Sequence, residues 1–385
     1  MVRANSAALR MLSLRYGADV VYSEELIAKR LQNTVRRENL ALGTVDFVHE
    51  DMNGETIALR TDSALEKRRL VVQIGSGDPE SAAKACAKVA HDCIGVDLNM
   101  GCPKKFSLTD GMGAALLRDP QRACEILRAM KESLSAHDCA VTCKIRLLPE
   151  DDDLSQTADL CLQLQRAGAQ AIAVHCRYPG ELPEKTKPQR ERTRRLFEKL
   201  RSEHAAFRDD CALLLNGDFY DHTDIESACS GPGAADGVLL ARPALLNPSI
   251  FNKKKKILLP RLEMLHDYMA TAHKYGAHYK NAKYVVMEML TKRRHPNEQW
   301  AKLQKIDPLP LNVTVSNVAR TRSLEDIDTI LGYHHHIDDH VITTTKTKLD
   351  ALSADDRRYD DAYFLKTHDR PTNDEPRAKE PRLTT

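Results

Sequence analysis

The run Ile94-Gly95-Val96-Asp97-Leu98-Asn99 passes directly into Met100-Gly101-Cys102-Pro103-Lys104-Lys105, and Gly111-Met112-Gly113-Ala114-Ala115-Leu116-Leu117 follows closely. A short apolar run that stops at a Gly/Pro-framed loop is the pattern of a buried parallel strand and its exit turn. Gly101 permits an unusual backbone angle and Pro103 fixes the next one, so the thiol between them is aimed away from the strand end. Six further runs of this kind lie on either side: Ala18–Tyr22, Leu70–Ile74, Ala140–Arg146, Ala171–His175, Ala212–Asn216 and Gly237–Leu240. Helical stretches such as Pro79–His91 and Pro120–Leu134 separate them, with Asp78-Pro79 supplying an N-cap and a first-turn proline. Repeated βα units over about 250 residues predict an α/β fold, a TIM (β/α)8 barrel. Seven strands are found where a closed barrel has eight. The chain opens at Met1-Val2-Arg3 and runs straight into the helical Ala7–Tyr16, so the first strand is expected to be missing, as a displaced start site would produce. An open, doubly wound sheet is the alternative.

The 385 residues include 57 basic and 55 acidic ones, and the resulting +2 excludes a uniformly polycationic binder, so a nucleic-acid surface must be local. No apolar run approaches ~18 residues, which excludes a membrane-spanning helix. Ten cysteines without a C-x-x-C pair, several inside apolar runs, read as reduced buried thiols. With no apolar leader in Met1–Arg15, a cytoplasmic protein is expected, the Lys253–Lys256 run leaving a nuclear location as the alternative.

Residues 1–251 are expected to form the barrel, 252–335 a smaller all-α domain, and 336–385 a polar, disordered tail. Helices are expected over Leu262–Leu290, Glu298–Ile306 and Ser323–Leu331. Lys253–Arg294 carries eleven Lys and Arg against Glu263, Asp267 and Glu288, a local excess suited to phosphates. His334-His335-His336 with Asp338, Asp339 and His340 reads as a solvated stretch, and no metal site is expected.

Polar residues recur where the strands end. They are Gln73, Lys144 with Arg146, His175, Asn216-Gly217-Asp218 and Ala241-Arg242. The last two strand ends of such barrels commonly hold a phosphate, and Arg242 could add a charged contact, so a phosphate-bearing cofactor is expected.

Asn99-Met100-Gly101-Cys102-Pro103 with Gly111–Leu117, Tyr22-Ser23-Glu24-Glu25-Leu26 and Asn247-Pro248-Ser249-Ile250-Phe251 resemble the tRNA-dihydrouridine synthase family, in its eukaryotic class acting on uridine 20 of the D-loop. The resemblance implies an FMN-containing barrel followed by a helical tRNA-binding domain. It implies that NADPH or NADH reduces the flavin, which then reduces the C5=C6 bond of uridine. Carried over by position, Gln73, Lys144, His175, Asn216, Gly217, Asp218, Ala241 and Arg242 would hold FMN, and Cys102 would be the proton donor. The partner would be tRNA, met by a monomer away from any membrane.

The family's first strand ends in a Pro-Met segment that touches FMN; here only Met1-Val2-Arg3 remains, so weaker FMN binding by an unclosed barrel is expected. Asp218 stands where Gly is common, which sets a like charge near a phosphate. The tail is too short for the double-stranded-RNA-binding domain that some members carry. Two competing functions follow: a catalytically inactive RNA-binding protein that lost flavin with strand one, and a small-molecule FMN enzyme resembling dihydroorotate dehydrogenase.

Overall fold

A computed structural model of the protein describes residues 1–52, 54–149, 153–182, 185–202, 206–254, 258–291 and 308–334. After α1 (Ala7–Arg15) come β1 (Val21–Tyr22), β2 (Leu26–Ile27), the short α2 (Ala28–Leu31), then β3 (Thr34–Asn39), β4 (Thr44–Asp51) and β5 (Gly54–Thr61). The chain continues through α3 (Ser63–Glu66), β6 (Leu70–Gly75), α4 (Pro79–Val89), β7 (Gly95–Asn99), α5 (Lys105–Thr109), α6 (Pro120–Ser133) and β8 (Ala140–Arg146). Next are α7 (Ser155–Arg166), β9 (Ala171–His175), α8 (Arg190–Ser202), β10 (Ala212–Asn216), α9 (His222–Ala228), β11 (Gly237–Leu239) and α10 (Arg242–Leu246). The last described helices are α11 (Arg261–Lys274), α12 (Tyr279–Leu290), α13 (Val315–Ala319) and α14 (Leu324–Leu331).

All seven predicted strands are present, parallel, in the order β1-β6-β7-β8-β9-β10-β11, with β2 continuing the ladder of β1 along β6. This is a (β/α)8-type barrel whose sheet, among the described residues, is open between β11 and β1. The helices start where the sequence signals them: Asp78 accepts from the Ser81 amide at 2.8 Å, and Asp119 from the Arg122 amide at 3.0 Å, each ahead of a first-turn proline.

Register then decides what the barrel holds inside. Gln73 pairs with Asp97, Asp97 with Thr142 and Thr142 with Ala171. Two residues further on, Asn99, Lys144, Ala173 and Leu214 share a row. The row above joins Arg146, His175, Asn216 and Leu239. Period-two alternation puts these rows on one face and the apolar Val72, Val96, Leu98, Cys143, Val174 and Leu215, all fully buried, on the other, under the helices. The interior is therefore polar where the strands end.

An antiparallel sheet of β3, β4 and β5, inserted between β2 and β6, was not expected from the sequence. Four of the six residues of β3 are exposed, so it lacks the apolar run that marks the barrel strands; its partner β4 buries Val45 and Phe47. Arg60 of β5 is held by Asp46 at 2.7 Å and donates to the carbonyls of Tyr275 and Gly276, tying this sheet to the end of α11. A second apolar core joins Leu9 and Leu12 of α1 to Leu265 and Met269 of α11, Val286 of α12 and Ile327 of α14. The stretches 298–306 and 336–385 lie outside the described residues.

Candidate active site

The Cys102 loop is built from Asn99. Its side-chain Oδ1 accepts from the amides of Gly101 at 2.9 Å and Cys102 at 3.0 Å, closing a local turn at the end of β7. The Arg146 guanidinium, from β8, donates to the Gly101 carbonyl at 2.8 Å and to Tyr178 O at 3.0 Å. The Cys102 carbonyl accepts from the Ala114 amide at 2.9 Å. A Cβ on Gly113, which sits at φ +60°, would stand 2.6 Å from that same carbonyl, so only glycine fits there. The cysteine is thus fixed on three sides and remains partly exposed, while the other described cysteines apart from Cys229 are buried.

Asn99 also donates through Nδ2 to Gln73 Oε1 at 3.1 Å, and Gln73 Nε2 donates to Asp97 Oδ2 at 2.9 Å. Thr142 donates to the other Asp97 oxygen at 2.7 Å. Asp97 is fully buried, and desolvation pushes its carboxyl up to about 6, with the Gln73 and Thr142 hydrogen bonds and the Lys144 charge acting the other way. Burial and the neighbouring Arg146 charge bring the Lys144 ammonium down to about 8. His175, pushed down to about 2 by burial and by Lys144, Arg146, Arg177 and Arg242, is a neutral imidazole, and its Nδ1 has no hydrogen-bond partner.

The opposite side of the mouth is dense in charge. Asn216 donates to the Leu239 carbonyl at 2.8 Å and so links β10 to β11. Gly217 is packed against Cys176 and Pro188. Asp218 occupies the left-handed region at φ +55°, as expected of a position that favours glycine, and its carboxylate binds the guanidinium groups of both Arg177 and Arg242. Arg177 is only 1% exposed; it also donates to Thr186 O at 2.9 and 3.0 Å, and its Nη1 is buried without a partner. Ala241 caps the short helix that Arg242 begins.

The structure therefore gathers Cys102, Gln73, Lys144 and His175 on neighbouring strand ends, and the Asn216–Asp218 loop with Arg242 across the mouth. Arg146, noted with Lys144 as a strand-end residue, and Asn99, the first residue of the cysteine motif, join them; so do Asp97, Thr142 and Arg177, which were not singled out as site residues from sequence. Asp97 stands two residues before Asn99, and Arg177 two after His175, so strand alternation carried the signal. Among the described residues no group of three or more His, Cys, Asp or Glu could hold a metal ion, and no helix is long and apolar enough to cross a membrane. Of the histidine run only His334 is described.

Residues 1–306 match the model of the family described as dihydrouridine synthase. The chain belongs to the dihydrouridine synthase family. Similar curated proteins include the tRNA-dihydrouridine(20) synthase [NAD(P)+] of Saccharomyces cerevisiae, 32% identical over 299 residues that make up 75% of each chain. The enzyme of the same name from Schizosaccharomyces pombe is 33% identical over 296 residues, 75% of this chain and 58% of that one. A Homo sapiens tRNA-dihydrouridine(20a/20b) synthase [NAD(P)+]-like protein is 25% identical over 296 residues, 76% of this chain and 80% of its own. The family match covers the barrel and α11–α12 in one span.

Proposed function

We propose that this protein reduces the C5=C6 bond of uridine 20 in the D-loop of tRNA to 5,6-dihydrouridine, with FMN as bound cofactor and NADPH or NADH as reductant, acting as a single chain in the cytoplasm. The family match over 1–306 and the two yeast relatives support the reaction. The observation that carries the residue assignment is the Cys102 loop, pinned by Asn99, Arg146 and Gly113 at the barrel mouth.

The residues present suit FMN. The unpartnered His175 Nδ1 and Arg177 Nη1 are buried polar atoms awaiting a polar neighbour, and Lys144 brings a positive charge to the same interior. Gln73, Lys144 and His175 would face the ring system, and the Asn216–Asp218 loop, Ala241 and Arg242, joined by Arg177, would face the phosphate. Reduced FMN, when bound, supplies the hydride that C6 receives. Cys102 holds a proton at Sγ for C5: burial and the nearby Glu25 lift its thiol above the ordinary range, so it is protonated at neutral pH. Asn99 Nδ2 donates to Gln73 Oε1 and Gln73 Nε2 donates to Asp97, which fixes both amides before substrate arrives.

In this reading residues 1–251 carry the chemistry and 252–335 meet tRNA. Burial lowers the Lys283 ammonium and the charges of Lys280 and Arg322 lower it further, a basic cluster on α12 and the segment before α14. Lys283 itself donates to the carbonyls of Ala319 and Thr321, so part of its charge is used within the helical region.

A second reading, tRNA binding without flavin, is favoured by one observation: Asp218 already holds Arg177 and Arg242. Purified protein with flavin's visible absorbance supports the first reading. A colourless protein that retains unmodified tRNA on a filter supports the second. The Cys102→Ala variant is expected to keep the absorbance and to lose dihydrouridine formation by about 10²–10⁴-fold, read in tRNA from a complemented deletion strain. Unchanged dihydrouridine content overturns the proton-donor assignment.

A further inference from the structure

One tetrapeptide occurs twice in the chain, as Ala90-His91-Asp92-Cys93 and as Ala136-His137-Asp138-Cys139. The first copy lies between the end of α4 and the start of β7, the second between the end of α6 and the start of β8. β7 and β8 are parallel neighbours with Gly95 opposite Ala140, and the Ala140 amide donates to the Ile94 carbonyl at 2.8 Å. Strand pairing therefore sets the two copies side by side. The His91 and His137 rings meet edge to face, 4.6 Å between centroids, and the Cys93 and Cys139 sulfurs stand 3.7 Å apart. Around them the backbone is held: Arg36 Nε and Nη2, from β3, each donate to the Asp92 carboxylate at 2.8 Å, and Cys93 Sγ lies 3.3 Å from the Val89 carbonyl oxygen. The two sulfurs are in contact, yet both cysteines are free thiols. Cys93 is 3% and Cys139 6% exposed, and Cys139 directly follows the exposed Asp138, so it is the more open of the two.

We infer that Cys93 and Cys139 form a dithiol site that hydrogen peroxide or an organic hydroperoxide oxidises to a disulfide, Cys139 attacking and Cys93 resolving. Cys139, as thiolate, attacks one peroxide oxygen. An S–O bond forms, the O–O bond breaks, and the departing hydroxide or alkoxide takes a proton from water. The Cys93 sulfur then attacks the Cys139 sulfenic acid. The S–S bond forms as the S–O bond breaks, and the hydroxyl leaves as water with the Cys93 proton. Two electrons pass from the two sulfurs to the peroxide. The contact with Cys93 lowers the Cys139 thiol below its ordinary range, against the effect of its own burial. The pair stands at the entry of β7 and β8, whereas Cys102 follows the exit of β7, so the two thiol sites occupy opposite ends of one strand.

The test treats the reduced full chain with hydrogen peroxide and alkylates the remaining thiols in denaturant. Fragment-ion mass spectrometry then separates Cys93 from Cys102 and Cys139 from Cys143. A Cys93–Cys139 cross-linked peptide is expected, and dithiothreitol should remove it. Alkylatable thiol at these two positions should fall about tenfold while the fully buried Cys143 and Cys161 stay free. The Cys93→Ser variant should instead hold a Cys139 sulfenic acid that dimedone traps, and Cys139→Ser should give no adduct at Cys93. A link that forms only after urea has unfolded the chain, or a link from Cys139 to the buried Cys86 in its place, overturns the inference. So does oxidation of the exposed Cys229 with both thiols still alkylatable. A dimedone adduct on Cys93 rather than Cys139 overturns the assignment of the attacking thiol. The wild-type measurement needs no variant to fold. It uses neither tRNA, flavin nor NAD(P)H, so its outcome is independent of the proposed reaction.

Discussion

The two sides of the barrel mouth are each organised around a buried aspartate, and the two are stabilised by opposite means. Asp97, on the β6–β8 side, meets only neutral donors at hydrogen-bond distance, Gln73 and Thr142, with Lys144 acting on it through its charge. Asp218, on the β10–β11 side, is clamped by two guanidinium groups. The first arrangement makes a rigid lattice of amides that leads to Cys102 and tolerates a proton on its acid. The second stores positive charge that an anion could claim. A mouth built this way separates proton chemistry on one side from anion binding on the other.

The largest expected effect breaks the charged side. Asp218→Asn keeps a residue that accepts the left-handed backbone but removes the counter-charge of Arg177, which is 1% exposed. Leaving that guanidinium uncompensated should cost about 3–5 kcal/mol in urea unfolding. Inorganic phosphate should restore more stability to the variant than it adds to the wild-type protein, because the freed arginines can take it up. Equal stability and equal phosphate response would mean that the clamp is not an anion site.

The neutral side should respond with pH. The Asp97 carboxyl titrates at about 6 in the folded chain against 3.8 as the ordinary value. The folded state therefore holds the extra proton, and stability is greatest below pH ~4, falls as pH rises and levels off above ~6. Across that window the wild-type protein should lose about 3 kcal/mol relative to Asp97→Asn. Parallel stability–pH curves for the two proteins would show that Asp97 is as well solvated as a surface acid.

How far this division was legible in the sequence depends on what carries each contact. The Cys102 loop was readable because its determinants, Asn99, Gly101 and Pro103, are adjacent, and the strands were readable because each is an apolar run. Asp218 was readable as a misfit for a glycine position, but its partner Arg177 is brought to it only by the pairing of β9 with β10. Glu25 was unreadable as a neighbour of Gly75: no periodicity links them, and their approach depends on the short β2 joining the end of β6. The β3–β5 sheet was missed for a related reason, since β3 carries the consecutive charges Arg36-Arg37-Glu38 in place of an apolar run and the strands gain their partners from each other and from the end of α11.

The smallest effect sharpens the account of Asp97. Thr142→Val keeps the side-chain shape and removes one donor, the hydroxyl 2.7 Å from Asp97 Oδ1. That hydrogen bond favours the ionised carboxylate, so its loss should move the Asp97 midpoint upward from about 6. The pH step in stability should then end at a higher pH and deepen, by about 1 kcal/mol, the net worth of one hydrogen bond to a charged group. Below pH ~4, where Asp97 is protonated in both folded and unfolded chains, the variant and the wild-type protein should differ less than they do at neutral pH. A deficit that is the same at every pH would instead mean that Thr142 acts by packing alone, and that Gln73 by itself sets the state of the acid.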